Sequence, residues 1–210
     1  MSDNTRRAVA DFMRRIGAKV PDAPWQKLDP GVLALRLELV AEETVETCSA
    51  LRRGDLVGAA DGFADLKYVI VGTACALGLP IDDCFPEPST LVEPRPMPEI
   101  SLKLMAKVPP LAERLRKAAV NASSFDWRAC AVVLAKMDAA ASLVASVDLG
   151  LPLTELFDEV HASNMTKQAS DRSIGFAKYP PGGKGPGYKP PAIEEILAKA
   201  SLKKPAQNKI

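Results

Sequence analysis

Residues 32–53 read VLALRLELVAEETVETCSALRR, Gly54-Asp55 follow, and residues 56–77 read LVGAADGFADLKYVIVGTACAL before Gly78-Leu79-Pro80. In the first stretch Leu33, Leu37, Val40, Thr44, Cys48 and Leu51 recur at steps of three and four, the period of one face of an α-helix. Gly54 ends that face. The second stretch runs as a helix from about Leu56 to Leu77 and stops where Gly78 tolerates a left-handed cap and Pro80 cannot continue a helix interior. Together the two stretches predict a tight helical hairpin.

The same period extends in both directions. Upstream, residues 4–17 predict a short amphipathic helix, closed by the Pro- and Asp-rich connector Val20–Pro30. Downstream, Pro86, Pro88, Pro94, Pro96 and Pro98 predict an extended linker. A second helical unit then begins near Ile100, with helices at roughly 100–120 and 126–148. Its end, Gly150-Leu-Pro-Leu-Thr-Glu-Leu-Phe157, matches Gly78-Leu-Pro-Ile-Asp-Asp-Cys-Phe85 in pattern, which suggests an internal duplication at an offset of 72 residues. At that offset Asp61 and Asp65 fall on Val133 and Met137, so the second copy lacks the acids. A helix through Glu159, His161 and Asn164 to about Lys167 follows, then a Gly-, Pro- and Lys-rich tail with a short helix near 192–203. The expected fold is all-α: a hairpin unit at 1–85, a linker at 86–99, a second hairpin and terminal helix at 100–168, and a tail at 169–210.

Of the 210 residues, 47% are hydrophobic and 25% charged, enough to bury a core. Lys plus Arg number 27 against 26 Asp plus Glu, so no global field draws the chain to nucleic acid or an anionic membrane. The N-terminus lacks the apolar run of a signal peptide, and no stretch reads as long enough to span a bilayer, so a cytoplasmic protein is expected. Cys48, Cys75, Cys84 and Cys130 lie far apart inside helical patterns and read as reduced core residues.

Chemistry concentrates in the first hairpin. Glu42, Glu43 and Glu46 lie within one turn, in a sector about 100° wide that Leu35 and Leu39 share, so it does not read as a solvated face. Asp61 and Asp65 sit one turn apart on the next helix, on a stripe that continues through Tyr68 and Gly72. Lys67 projects to the opposite side. Folding the hairpin would therefore gather up to five carboxylates with no protein cation among them, an environment suited to hard divalent ions with oxygen ligands. Such donors favour magnesium or manganese.

Glu42-Glu43-Thr-Val-Glu46 and Asp61-Gly-Phe-Ala-Asp65 resemble the acidic signature of the MazG-like all-α nucleoside triphosphate pyrophosphohydrolases. The lead-in Val9–Leu37, the segment Phe157-Asp-Glu-Val-His161-Ala-Ser163-Asn164-Met165-Thr-Lys167 and Lys184-Gly-Pro-Gly-Tyr188-Lys189-Pro-Pro191 are similar to that family as well. Two departures stand out. Gly62 occupies the position, three before Asp65, where many members carry Glu, with Asp61 one residue earlier on the same face. The interior segment 86–149 intervenes between the Gly-Leu-Pro stop and the His161 segment, and reads as a second hairpin fused in place of a partner subunit's packing surface.

The resemblance implies water attack on an interior phosphorus of a (deoxy)nucleoside triphosphate, releasing pyrophosphate, with Mg2+ or Mn2+ as cofactor. It implies Glu43, Glu46 and Asp65 as metal ligands, Asp61 as a further ligand, and Glu42 as the group that orients or deprotonates water. Asn164 and Lys167 would contact phosphate or sugar. His161 is a substrate contact or a structural hydrogen-bonded histidine, and Lys184 and Tyr188 belong to a tail that closes over the nucleotide or serves only as a linker. A homo-oligomer, dimer or tetramer, is expected. Phosphoribosyl-ATP pyrophosphohydrolase and a non-catalytic helical adaptor are the alternatives. Gly182-Gly-Lys184-Gly lacks the spacing of a phosphate-binding P-loop, and with one histidine and no Glu-x-x-His pair a di-iron bundle is disfavoured.

Overall fold

The computed structural model describes residues 2–80, 96–120, 125–167 and 186–200. Cys84, Lys184 and most of the proline-rich stretch 86–98 lie outside them. Among the described residues the architecture is all-α, with seven α-helices and no strand: α1 (Ser2–Arg15), α2 (Pro30–Arg53), α3 (Leu56–Leu77), α4 (Met97–Val120), α5 (Trp127–Leu143), α6 (Leu153–Asn164) and α7 (Ile193–Lys199). A single π-helical stretch, Val144–Asp148, prolongs α5.

Local chemistry explains where the helices start and stop. Asp29 accepts the Gly31 N–H at 2.8 Å, and Pro30 takes the first position of α2, where no intrahelical N–H bond is lost. The link to α3 is two residues. Gly54, at φ 69°, closes α2, and Asp55 opens α3 by accepting the Gly58 N–H at 2.8 Å. Helix α4 starts at Met97, not near Ile100, because Pro98 falls in its first turn, where a missing N–H costs nothing. The residues expected to end an extended linker at 98–99 are therefore already helical. At the other end, α6 stops at Asn164, earlier than Lys167.

The two hairpins pack on each other, α2 against α4 and α3 against α5, while α3 also receives α1, α6 and α7. Central in this arrangement, α3 buries Phe63, Leu66, Ile70 and Leu77, each 1% exposed or less. Each such side chain contributes about 1.5–3 kcal/mol of transfer free energy. Cys48, Cys75 and Cys130 are free thiols in the same core. Lys67 is buried too, and its ammonium donates to both carboxylate oxygens of Asp138 on α5, at 2.7 and 2.9 Å. Residues Trp127–Asp148 are long and apolar enough by composition to cross a bilayer, which corrects the expectation that no stretch is. Here that helix is a core element: 56% of its most apolar window is buried, and it carries Asp138 against Lys67.

The ends of α3 and α5 can be compared directly. Both begin on an aspartate that accepts an N–H three residues on, Asp55 from Gly58 and Asp126 from Ala129, and both runs end at a left-handed glycine, Gly78 at φ 67° and Gly150 at φ 64°. Leu79 N–H reaches back five residues to Ala74 O, but Leu151 N–H reaches back six, to Ala145 O. The π stretch thus absorbs one additional residue, as single insertions into helices do. Counted from the caps, the offset is 71 residues, and it becomes 72 only beyond the π stretch. Asp61 and Asp65 therefore correspond in position to Val132 and Lys136, not to Val133 and Met137. Neither position is acidic.

Candidate active site

The site forms where α2 and α3 cross. At Gly62 a Cβ would stand 2.6 Å from Thr47 Oγ1 and 3.1 Å from Thr47 Cα, so the two backbones approach to a distance that only glycine allows. Thr47 donates to Glu43 O at 2.6 Å, which holds its hydroxyl against the α2 backbone, at the point where Gly62 crosses it. A glutamate at 62 would force Thr47 or the helix itself to shift. The acid nearest that position is carried instead by Asp61, which lies beside the contact.

A cleft of about 320 Å3 opens next to this crossing, lined by Val45, Glu46, Ser49, Ala50, Arg53, Gly58, Asp61, Gly62 and Asp65. Glu43, Asp61 and Asp65 are half-buried, while Glu42 and Glu46 are exposed, so the acidic sector of α2 is open to water at its edges and sheltered only at Glu43. The Glu43 carboxyl is pushed up from 4.5 to about 8, first by burial and then by the negative charges of Asp65, Glu46, Glu42 and Asp61. The other four acids predicted from the two helices thus all act on Glu43. Lys67, as expected, faces away from them into the core.

One cation does reach this cleft, which corrects the expectation of none. Arg53 lines it from the last turn of α2, with its guanidinium 3.8 Å from Asp55 Oδ2 and its side chain 65% exposed. Ser49, Ala50 and Arg53 lie three, four and seven residues after Glu46, the spacing of a single helical stripe, so the sequence carries this signal.

The carboxylates suit a hard divalent cation in donor chemistry: oxygen-only ligands, mutually repelling, with a protonated Glu43 that a cation would help to ionise. Among the described residues, however, no three His, Cys, Asp or Glu side chains converge on a single point as they stand. The donor set fits the ion, and ligation requires side-chain rotation, which the exposed Glu42 and Glu46 are free to make. On the other side of Val45 an apolar groove of about 430 Å3 runs between α2 and α4, lined by Leu37, Met105, Val108, Pro109 and Ala112 among others. Its size is within the range of small-molecule sites, about 300–1,000 Å3.

The remaining candidates lie elsewhere. His161 Nδ1 is 3.0 Å from the Tyr68 hydroxyl and its ring stacks on Tyr68, with centroids 6.0 Å apart. Burial lowers its pKa, against the opposing pull of Asp158 and Asp11. It is a packed, hydrogen-bonded histidine. Asn164 is buried at the end of α6, and Lys167 Nζ lies 6.0 Å from the centre of the Tyr188 ring. Ser163 donates to Lys189 O at 2.7 Å, Lys189 N–H to Thr166 Oγ1 at 2.9 Å, and Ala192 N–H to Glu159 Oε1 at 2.9 Å, so the segment after residue 186 is tied to α6. None of His161, Asn164, Lys167 and Tyr188 lines the carboxylate cleft. Trp25 is partly buried and donates through Nε1 to Ala76 O at 2.8 Å, as a core residue does.

A model of the phosphoribosyl-ATP pyrophosphohydrolase family matches residues 9–88, the span that holds α2, α3 and all five acids. That family belongs to the MazG-like all-α nucleoside triphosphate pyrophosphatase superfamily. No curated protein and no solved structure matches the chain significantly.

Proposed function

Taking residues 9–88 as a pyrophosphohydrolase domain that acts on nucleotides, we propose that the chain hydrolyses a (deoxy)nucleoside triphosphate to the monophosphate and pyrophosphate in the cytoplasm, with Mg2+ or Mn2+. The observation that carries this reading is the Glu43 carboxyl, which burial first and then four acids from two helices push up to about 8. Such a cluster opposes folding unless positive charge fills it.

In this reading Glu43, Glu46 and Asp65 hold the ion, and Asp61 is a further ligand. When bound, the ion screens the triphosphate and lowers the pKa of water. Glu42, exposed at the cleft edge, orients the attacking water or takes its proton. Arg53 receives phosphate charge as pyrophosphate departs. The groove beyond Val45 offers the base an apolar wall, and Lys167 with Tyr188 forms a second, basic contact, with Asn164 and His161 positioning α6 behind them. Self-association into a dimer or tetramer remains part of the proposal.

The test incubates the pure protein with each (d)NTP and either metal and identifies the leaving phosphate. Pyrophosphate is expected, and orthophosphate alone would overturn the mechanism. Phosphoribosyl-ATP belongs in the same panel as a second reading, because the matched family carries that name and the bond broken is of the same kind. A non-catalytic adaptor would give no product and no metal-dependent thermal shift.

A further inference from the structure

We infer that the buried Lys67–Asp138 pair selects the second hairpin of the same chain as the partner of the first hairpin, in place of a second copy of the first. Lys67 lies twelve residues after the cap Asp55, and Asp138 lies twelve residues after the cap Asp126. The helices that carry them pack on each other, as do α2 and α4, so the two hairpins meet like against like. When two such units are related by an approximate two-fold axis, a residue on the axis meets its own counterpart. Lys67 and Asp138 are counterparts by position, and they touch at 2.7 and 2.9 Å with 1% and 0% of their side chains exposed. Ser142, one turn on from Asp138, stands 3.4 Å from the same ammonium.

Identical hairpins cannot reproduce this contact. Two copies of the first would bury lysine against lysine, and two copies of the second aspartate against aspartate, at a position sealed from bulk solvent. Unlike hairpins escape that penalty by placing opposite charges at one position. A buried ion pair adds little stability over an apolar pair of similar shape, so selectivity accounts for its presence in a helix whose other buried positions carry no charge. One consequence is a single carboxylate cleft per chain, since α5 presents Val132 and Lys136 where α3 presents Asp61 and Asp65. Any association of whole chains uses other surfaces. This pairing is independent of whether the cleft hydrolyses nucleotides, because Lys67 lies on the opposite face of α3.

The experiment uses the full chain in four forms. Lys67→Asp and Asp138→Lys should each lower Tm by roughly 10 °C or prevent folding, and the charge-swapped double variant should recover most of that loss. The apolar double variant Lys67→Met with Asp138→Leu should melt no lower than the parent, yet after refolding at high concentration should form additional hairpin-exchanged oligomers that light scattering detects and the parent does not form. If the swapped double variant is as damaged as the single ones, or the apolar double variant refolds to the parent's mass distribution at every concentration, the selective role is wrong.

Discussion

Replacing Glu43 with Gln is expected to stabilise the metal-free protein at pH 8 and to change it little at pH 5. The folded carboxyl titrates at about 8 against an ordinary 4.5, so between those values the folded chain keeps a proton that the unfolded chain has released. Stability therefore falls as pH rises through this window, by up to about 1.4 kcal/mol per pH unit. Over the full gap a sealed carboxyl would cost about 5 kcal/mol. Glu43 retains some contact with water and its acidic neighbours Glu42 and Glu46 are exposed, so screening reduces the expected penalty to about 2 kcal/mol at pH 8. Glutamine keeps the shape and cannot ionise, which removes both the desolvation and the repulsion. For a chain of this size the gain amounts to roughly 4–8 °C in Tm. The assay is thermal or urea unfolding of both proteins in EDTA from pH 5 to 8.5, then again with Mg2+ or Mn2+. The metal should reverse the ranking at pH 8 by stabilising the parent more than the variant. A Glu43→Gln protein no more stable than the parent at pH 8, or a stability difference that does not grow between pH 5 and 8, would refute the convergence of acids on this carboxyl.

Glu46→Ala should abolish turnover while leaving the helical circular dichroism intact, and retained activity would remove Glu46 from the site. Gly62→Ala forces a methyl group toward Thr47 and should cost about 1–3 kcal/mol in urea unfolding, with part of the loss recovered when Thr47→Ala is added to remove the hydroxyl at 2.6 Å; an unaffected Gly62→Ala protein would show that the helices are farther apart. His161→Ala removes the 3.0 Å partner of Tyr68 and should lower stability by about 1 kcal/mol with kcat nearly unchanged, whereas a hundredfold fall in kcat at unchanged stability would return His161 to the reaction.

The hairpin was legible because its punctuation is local. Gly54, Asp55, Gly78 and Pro80 act through their own backbone geometry, and a period of three and four residues survives in any packed helix, so α2 and α3 follow from the sequence almost to the residue. The five acids were legible for the same reason: helix geometry alone puts each set on one face, and a short link brings the faces together. What escaped depends on contacts distant in sequence. Gly62 is a departure from the acidic pattern in sequence, and only Thr47, fifteen residues away, shows why a side chain there would displace its neighbour. Arg53 shares a stripe with Glu46, but a stripe does not say where a long side chain at the end of a helix will turn, and only the fold brings it to the cleft. Lys67 read as a bystander facing away, and only the fold reveals Asp138, 71 residues on, as what it faces. The offset of 72 rests on the shared Gly-Leu-Pro stop, which lies beyond a π-helical insertion that no periodicity announces. A single additional residue in α5 shifts every position upstream of it by 100° about the helix relative to the assumed register. It is this shift that turns Lys67 and Asp138 from unrelated residues into counterparts, and so gives the second hairpin a definite partner rather than a place in a list of helices.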